Sequence, residues 1–400
     1  MDYRELRQKY PKFIYKSFST KVLAGKLILK FKYQTPPDLI FTHTLEFSGI
    51  GNFEADKNLV FNIGLAEMFS YWKATCSPIV EIQTGFLDPD QIAFWHKLFI
   101  RGMGEYYYKN NIDFTPKDFI KITSENKRMT INDKSMAMND KILIPIGGGK
   151  DSIVTGEILK KHFPINCLLV NPTPAMTKIA QMLGCNQAEV VRRRIDPYLL
   201  KLNQQNYLNG HIPFSSVLAF ISLLYGYKYI AVSNERSSNE GNVTYLGQEI
   251  NHQYSKSLEF ENDFNEYQKT LAPVKYFSFL RPLYENQIIK LFIRYPQYFK
   301  VFRSCNQYSK TGQAWCLTCP KCVSSAILLG QKLTRKIMVV YPPQMPENKA
   351  IMDGLLGVTP VKPFECVLTR NEALGKIDIN SYLSNPNMPE AFDKILRSEL

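Results

Sequence analysis

Between Lys12 and Ser48 apolar and polar residues alternate in short runs, as in Lys26-Leu27-Ile28-Leu29-Lys30-Phe31-Lys32-Tyr33, and Pro36-Pro37 interrupts them. Period-two alternation broken by turn residues predicts antiparallel strands with one buried face. The spacing then changes. Leu65, Phe69, Trp72 and Cys76 recur at helical intervals before Pro78, and Ile92, Trp95, Leu98 and Phe99 repeat the stripe, which predicts two helices packed into a core. Turn-rich residues from Asn111 to Asp140, notably Ser124-Glu125-Asn126-Lys127 and Asn132-Asp133-Lys134, predict a linker. Beyond it, Ile142-Leu143-Ile144-Pro145-Ile146, Cys167-Leu168-Leu169-Val170 and Tyr229-Ile230-Ala231-Val232 are short apolar runs separated by helical patterns, the mark of a parallel α/β sheet. Pro145 cannot donate a ladder hydrogen bond, so it is expected at a strand's exit. Past Gln331 the prolines Pro342, Pro343, Pro346, Pro360 and Pro363 punctuate short apolar pieces, and this tail is expected to wrap back over the sheet. The expected fold class is therefore α/β: an α+β N-terminal domain over 1–135, a parallel-sheet domain over 136–335, and an appendage over 336–400 packing on it.

Composition narrows the functional classes. A chain of 400 residues with 45% hydrophobic positions exceeds the size of one core and is neither disordered nor a small disulfide scaffold. Lys and Arg number 49 against 36 acids, a net charge of +13, which favours anionic partners. The basic residues are scattered, so a phosphorylated small molecule is expected rather than a nucleic-acid groove. Met1 to Phe13 has no continuous apolar segment, and Gly226-Tyr227-Lys228 interrupts the longest apolar stretch, Ser215 to Val232. A cytoplasmic protein without membrane contact is expected. Eight cysteines, four of them between Cys305 and Cys322, suggest a reduced compartment and a metal rather than disulfides.

Three motifs carry candidate chemistry. Gly147-Gly148-Gly149-Lys150-Asp151-Ser152 lies between a buried strand and a helix, where glycines let backbone N–H groups approach an anion and the helix N-terminus adds its positive end. It is not a Walker A loop, which would need Gly at Ile144 and Ser or Thr at Asp151, nor a dinucleotide fingerprint, whose third glycine falls on Ser152. Cys305, Cys316, Cys319 and Cys322 follow a spacing suited to tetrahedral structural zinc, with iron–sulfur ligation as the competing reading. Ser233-Asn234-Glu235-Arg236, then Asn251 to Ser257, Glu259 and Glu261, begin where a strand ends, the place at which α/β sheets bind ligands. His211, in Gly210-His211-Ile212-Pro213, reads equally as a helix-entry residue.

The glycine turn resembles the Ser-Gly-Gly-x-Asp-Ser pattern of the PP-loop ATP pyrophosphatases, with Gly147 in the usual Ser place. That likeness implies cleavage of ATP to AMP and pyrophosphate, with Gly147, Gly148, Gly149 and Ser152 at the pyrophosphate, Lys150 offsetting its charge and Asp151 placing Mg²⁺. Gly64 to Met68, Ser70 to Thr75, Pro145 to Ser152, Ser233 to Arg236, Asn251 to Ser257, Trp315 to Cys322 and Lys362 to Val367 together resemble the UDP-N-acetylmuramoyl-L-alanyl-L-glutamate epimerase (MurL) family, from about Phe53 to about Leu374. The resemblance implies an isomerase of bacterial peptidoglycan synthesis that inverts the terminal L-Glu of a UDP-muramyl dipeptide through an acyl-adenylate. Lys150, Asp151, His252 and Lys256 would be catalytic, and Glu67, Trp72, Lys73, Asn234, Glu235, Arg236 and Asn251 would bind substrate. Inversion needs an acid and a base; Cys76, His252, Lys256, Tyr254, Glu67 and Cys366 are the candidates, and Cys76 and Cys366 read also as small buried hydrophobes. The alternative is a nucleobase- or tRNA-modifying enzyme like 7-cyano-7-deazaguanine synthase, which also pairs a PP-loop with a four-cysteine knuckle but begins at the loop.

Overall fold

The N-terminal alternation folds, in a computed structural model describing residues 2–49, 55–124, 138–308 and 315–400, as an antiparallel meander of β1 (Lys12–Leu23), β2 (Lys26–Thr35) and β3 (Leu39–Ser48). Along β2 the period of two is literal: Leu27, Leu29, Phe31 and Tyr33 are buried while Lys26, Lys30 and Lys32 are exposed. The first helical stripe is displaced from its expected place. Its helix starts earlier, at Lys57–Glu67 behind the N-cap Asp56, continues after Met68 as Phe69–Trp72, and leaves Cys76 outside with φ 52°. The second stripe forms Pro89–Gly102, opened by a capping box from Asp88. Phe69 and Trp72 meet Phe99 at ring distances of 4.4 and 4.8 Å, which locks the two stripes together.

β4 (Ile79–Ile82) and β5 (Lys121–Ser124) add parallel strands beyond β1. Strands enter the expected linker, β5 within it and β6 (Asn139–Pro145) at its end; residues 125–137, where most of its turn signals fall, lie outside the described residues. Pro145 is the last residue of β6, at the strand's exit as expected.

β6, β7 (Ile165–Val170), β8 (Glu189–Arg194), β9 (Tyr227–Val232) and β12 (Lys275–Ser278) are parallel, and β10 (Val243–Tyr245) pairs with β11 (Gln248–Ile250) in a separate hairpin. The main sheet has ten strands in the order β12-β9-β6-β7-β8-β3-β2-β1-β4-β5. β3 runs antiparallel to β8, from Thr44 opposite Arg194 to Ser48 opposite Val190, so one sheet joins strands from the expected 1–135 and 136–335 units. The apolar stretch Ser215 to Val232 splits into the helix Phe214–Leu223 and β9, and among the described residues no helix is long and apolar enough to cross a membrane.

Phe392, in the helix Glu390–Ser398, meets Phe163, Tyr229 and Phe277 at 4.8–5.2 Å. Burying such a ring contributes roughly 1.5–3 kcal/mol, enough to hold a short terminal helix down. One cysteine expectation is corrected: Cys167 of β7 and Cys185 form a disulfide with Cα atoms 5.8 Å apart, because the turn into β8 sets them face to face in the core. The other six cysteines are free.

Candidate active site

The sheet order reverses between β6 and β9, and open α/β sheets bind ligands at such a point, outside the carboxyl ends of the strands. The glycine turn leaves β6 there and Ser233-Asn234-Glu235 leaves β9 beside it; both line one cleft of about 680 Å³. Gly148 has φ 88°, a left-handed conformation that glycine takes without strain. A side chain at Gly147 or Gly149 would meet no heavy atom within 4 Å, so both open to free space. Gly149 caps the helix Lys150–Leu159 with no side chain, which leaves the first N–H groups of that helix facing the cleft.

Lys150 is the first residue of that helix. It is buried, with its ammonium 2.6 Å from Asp151 and in still closer contact with Glu285, which the helix Glu285–Phe292 carries in. Burial opposes its charge, but the two carboxylates more than offset that and raise its pKa. Glu285 is pushed well up by burial, against Lys150 and with Asp151, Glu235 and Glu372 adding to the rise. Sequence reasoning missed Glu285, a lone acid in Tyr284-Glu285-Asn286-Gln287 with no motif around it. Ser152 donates its hydroxyl back to the Gly149 carbonyl at 3.2 Å.

Of the residues expected at the substrate, Asn234 and Glu235 line the cleft, and the Asn234 amide donates to Ser278 at 3.0 Å. Arg236 lies instead over the Tyr284 ring, 4.4 Å from its centroid, and Asn251 is spent on a turn, donating to the Ser238 carbonyl and accepting from the Gln253 N–H. Fully buried Arg281, also missed, organises this segment by donating to Glu235, Ser238, Lys256 and Glu261. Trp72 is a core residue whose indole N–H donates to the Ser77 carbonyl at 2.9 Å. Glu67 is fully buried and accepts three bonds of 2.6–2.9 Å from Arg193, with His43 at 3.3 Å. Burial opposes its charge, but Arg193 and His43 outweigh it and bring its pKa to about 2. Lys73 donates to the Gly210 carbonyl at 2.9 Å; burial and then Arg193 lower it to about 8.

The proton-transfer candidates separate in space. Burial raises Cys76 to about 11 against the pull of Arg7, which donates to its carbonyl, and the thiol belongs to the core. Tyr254 is buried beneath Arg101, 5.8 Å from the ring centroid, and burial raises it. Lys256 and Cys366 line the cleft, with Nζ to Sγ 3.3 Å. His252 holds Glu105 through Nδ1 at 2.5 Å and lies against His211, the rings tilted by 38° with centroids 4.1 Å apart.

The sulfurs of Cys305, Cys316, Cys319 and Cys322 lie within 4.8 Å of one another, two pairs at 3.8 and 3.5 Å. A tetrahedron with Zn–S of about 2.3 Å has edges near 3.8 Å, so the cluster could hold a single zinc ion, whereas an iron–sulfur cluster would spread its thiolates further. Cys319 caps the helix Pro320–Met338, and Cys305 and Lys321 face the cleft, so the knuckle builds part of its wall.

Family profiles described as the MurL N-terminal domain and MurL C-terminal domain match residues 4–279 and 301–386. Three curated relatives are similar to the chain, each named UDP-N-acetyl-alpha-D-muramoyl-L-alanyl-L-glutamate epimerase. That of Xanthomonas oryzae is 28% identical over 364 residues, 86% of this chain and 80% of its own. Those of Salinispora tropica and a Micromonospora strain are 33% and 32% identical, each over 74% of this chain and 67% and 69% of their own. No solved structure matches.

Proposed function

The chain belongs to the MurL family, and from that premise we propose that it inverts the terminal L-Glu of UDP-MurNAc-L-Ala-L-Glu to D-Glu at the expense of ATP, releasing AMP and pyrophosphate. It is an epimerase, hence an isomerase, of peptidoglycan precursor synthesis. The observation that carries the ATP-dependent scheme is one cleft shared by the glycine turn, a carboxylate cluster and the Lys256–Cys366 pair. Glycine N–H groups and the helix N-terminus suit a pyrophosphate. Asp151 and Glu235 line the same cleft and would offer hard oxygen ligands of the kind Mg²⁺ takes, and the ion would offset phosphate charge there. Lys150 is held by carboxylates from the turn and from the helix Glu285–Phe292, so its ammonium is fixed before phosphate arrives.

The chemistry requires that cleft to do two things. The α-proton of a carboxylate is too weakly acidic for a protein base, whereas an adenylated carboxyl stabilises the enolate left behind. Adenylation belongs to the turn and its carboxylates; proton transfer belongs to the wall bearing Lys256 and Cys366. A zinc ion on the four cysteines would stiffen that wall, and with four thiolate ligands it would have no open position for the reaction. In this scheme residues 1–135 extend the sheet, 136–335 carry the nucleotide site, and 336–400 close over it, in the cytoplasm where ATP and the nucleotide-linked substrate occur. Incubation with ATP, Mg²⁺ and UDP-MurNAc-L-Ala-L-Glu should yield D-Glu and AMP; retention of L-Glu with no AMP formed rejects the proposal.

A further inference from the structure

Around Cys366 two separate parts of the chain deliver positive charge to one sulfur. Cys366 sits in the tail segment that Asn242 clamps, through its amide donating to the Pro363 carbonyl at 2.8 Å and its own carbonyl accepting from Lys362 at 2.9 Å. Lys256 reaches the sulfur at 3.3 Å from the segment after β11. Lys321 comes from the cysteine knuckle, and His252, backed by Glu105 at 2.5 Å, also interacts with the thiol. Unlike Cys76, the sulfur opens into the cleft that holds the glycine turn.

Resting on the epimerase reading, we propose that Cys366, held as a thiolate by Lys256 and by the His252–Glu105 pair, takes the α-proton from the activated glutamyl residue. Lys256 and His252 are positioning residues in this assignment. In the step, the Cα–H bond breaks and an S–H bond forms on Cys366. The electron pair of the broken bond moves into the adenylated carboxyl as an enolate. A proton from water then reaches the opposite face, the hydroxide left behind is neutralised by the proton on the Cys366 thiol, which restores the thiolate, and a second water hydrolyses the acyl-adenylate to release the inverted product with AMP.

The charges around the sulfur support a thiolate. Burial works against it, but Lys256, Lys321 and His252 outweigh burial and bring Cys366 to about 6. Burial likewise opposes charge on His252, while Cys366 and Glu105 raise it to about 9, so both partners are charged at neutral pH. Behind them stand His211, kept neutral by burial and by His252, Lys73, Lys256 and Lys321, and Glu235 and Asp151, which face Lys256. Glu105, His211 and His252 are close enough together to share a cation. The three lysines around His211 oppose one, and an anion is the natural occupant of such a field.

The test uses the full-length protein in D₂O with ATP, Mg²⁺ and UDP-MurNAc-L-Ala-L-Glu, following AMP, α-carbon deuteration and glutamate configuration separately. Cys366→Ala and Cys366→Ser should form AMP within about threefold of wild type while deuteration and inversion fall by about 10² to 10⁴, the range for a general base. Wild-type deuteration in either variant overturns the assignment, and so does AMP formation falling in step with inversion, which would give Cys366 to adenylation or binding. A second measurement needs neither turnover nor a Cys366 variant. Alkylation of Cys366 by iodoacetamide, located by mass spectrometry across pH, should show a midpoint near 6 in wild type and a higher one in Lys256→Met; a wild-type midpoint near that of a free thiol, about 8.5, overturns the proposal. Wild-type protein that makes neither AMP nor D-Glu would reject the epimerase reading itself, a failure that the alkylation profile does not share.

Discussion

Glu67→Gln separates a buried structural charge from a substrate contact, the role that the sequence resemblance implied for this residue. In the fold Glu67 is 0% exposed, and its carboxylate is shared by Arg193 and His43. Its pKa falls from 4.5 to about 2. At about 1.36 kcal/mol per unit, that corresponds to roughly 3 kcal/mol of stability. A depressed carboxylate contributes this stability fully above its unfolded pKa, so it is present at pH 7 and is lost as pH falls from about 4.5 towards 2. Glutamine keeps the shape and removes the charge, leaving Arg193 buried without its counter-ion, a loss of about 3–5 kcal/mol. Urea denaturation at pH 7 should register that loss, and the gap between wild type and variant should narrow as the buffer is taken below pH 4.5. Folded Glu67→Gln should keep wild-type KM values for ATP and for the muramyl dipeptide. A variant as stable as wild type but with a raised KM for the dipeptide would refute the reasoning and return Glu67 to the substrate.

Asp151→Ala and Lys150→Ala should each cut AMP formation by about 10² to 10³, the loss of roughly 3–4 kcal/mol of charge stabilisation; only Lys150→Ala should also lower the melting temperature, because Glu285 loses its buried partner. Turnover near wild type in both would place the ATP site elsewhere. Gly148→Ala should cost about 1–2 kcal/mol and weaken ATP binding measured by calorimetry, since the new methyl finds ordinary room beside Met176 but φ 88° is left-handed. Elemental analysis should find one zinc per chain, and Cys319→Ser should reduce stability far more than the AMP-forming rate of whatever protein remains folded. Two zinc equivalents would put an ion at Glu105, His211 and His252 and contradict the charge argument made for that cluster.

What the sequence disclosed was local. Alternation in β2, the apolar runs of β6, β7 and β9, the glycine turn and the cysteine spacing each announce themselves within ten or twenty residues, because backbone geometry and metal coordination impose short periods. The missed features are contacts at long range. Glu285 meets Lys150 across 135 positions and Glu105 meets His252 across 147, and nothing in the neighbourhood of either acid signals its partner. Trp72 and Lys73 are adjacent in one motif, yet a helical turn sends the indole into the core and the amine towards Gly210. The four-residue β5 was hidden among turn formers, and Cys366 could be told from Cys76 only by which of the two thiols the fold opens to a cleft.

The seam between β3 and β8 bears on modularity. β8 ends in Arg192-Arg193-Arg194, and across the seam β3 covers its backbone while Glu46 and Glu67 answer Arg194 and Arg193. Cut away before β6, the rest of the chain would present a bare strand edge bearing three unanswered guanidinium groups, one of them drawn from a buried site. An open edge pairs with whatever strand it meets. Domain-swapping or grafting strategies that treat the half from β6 onwards as portable cargo would therefore recover aggregate; the smallest transplantable unit includes the meander that seals its flank.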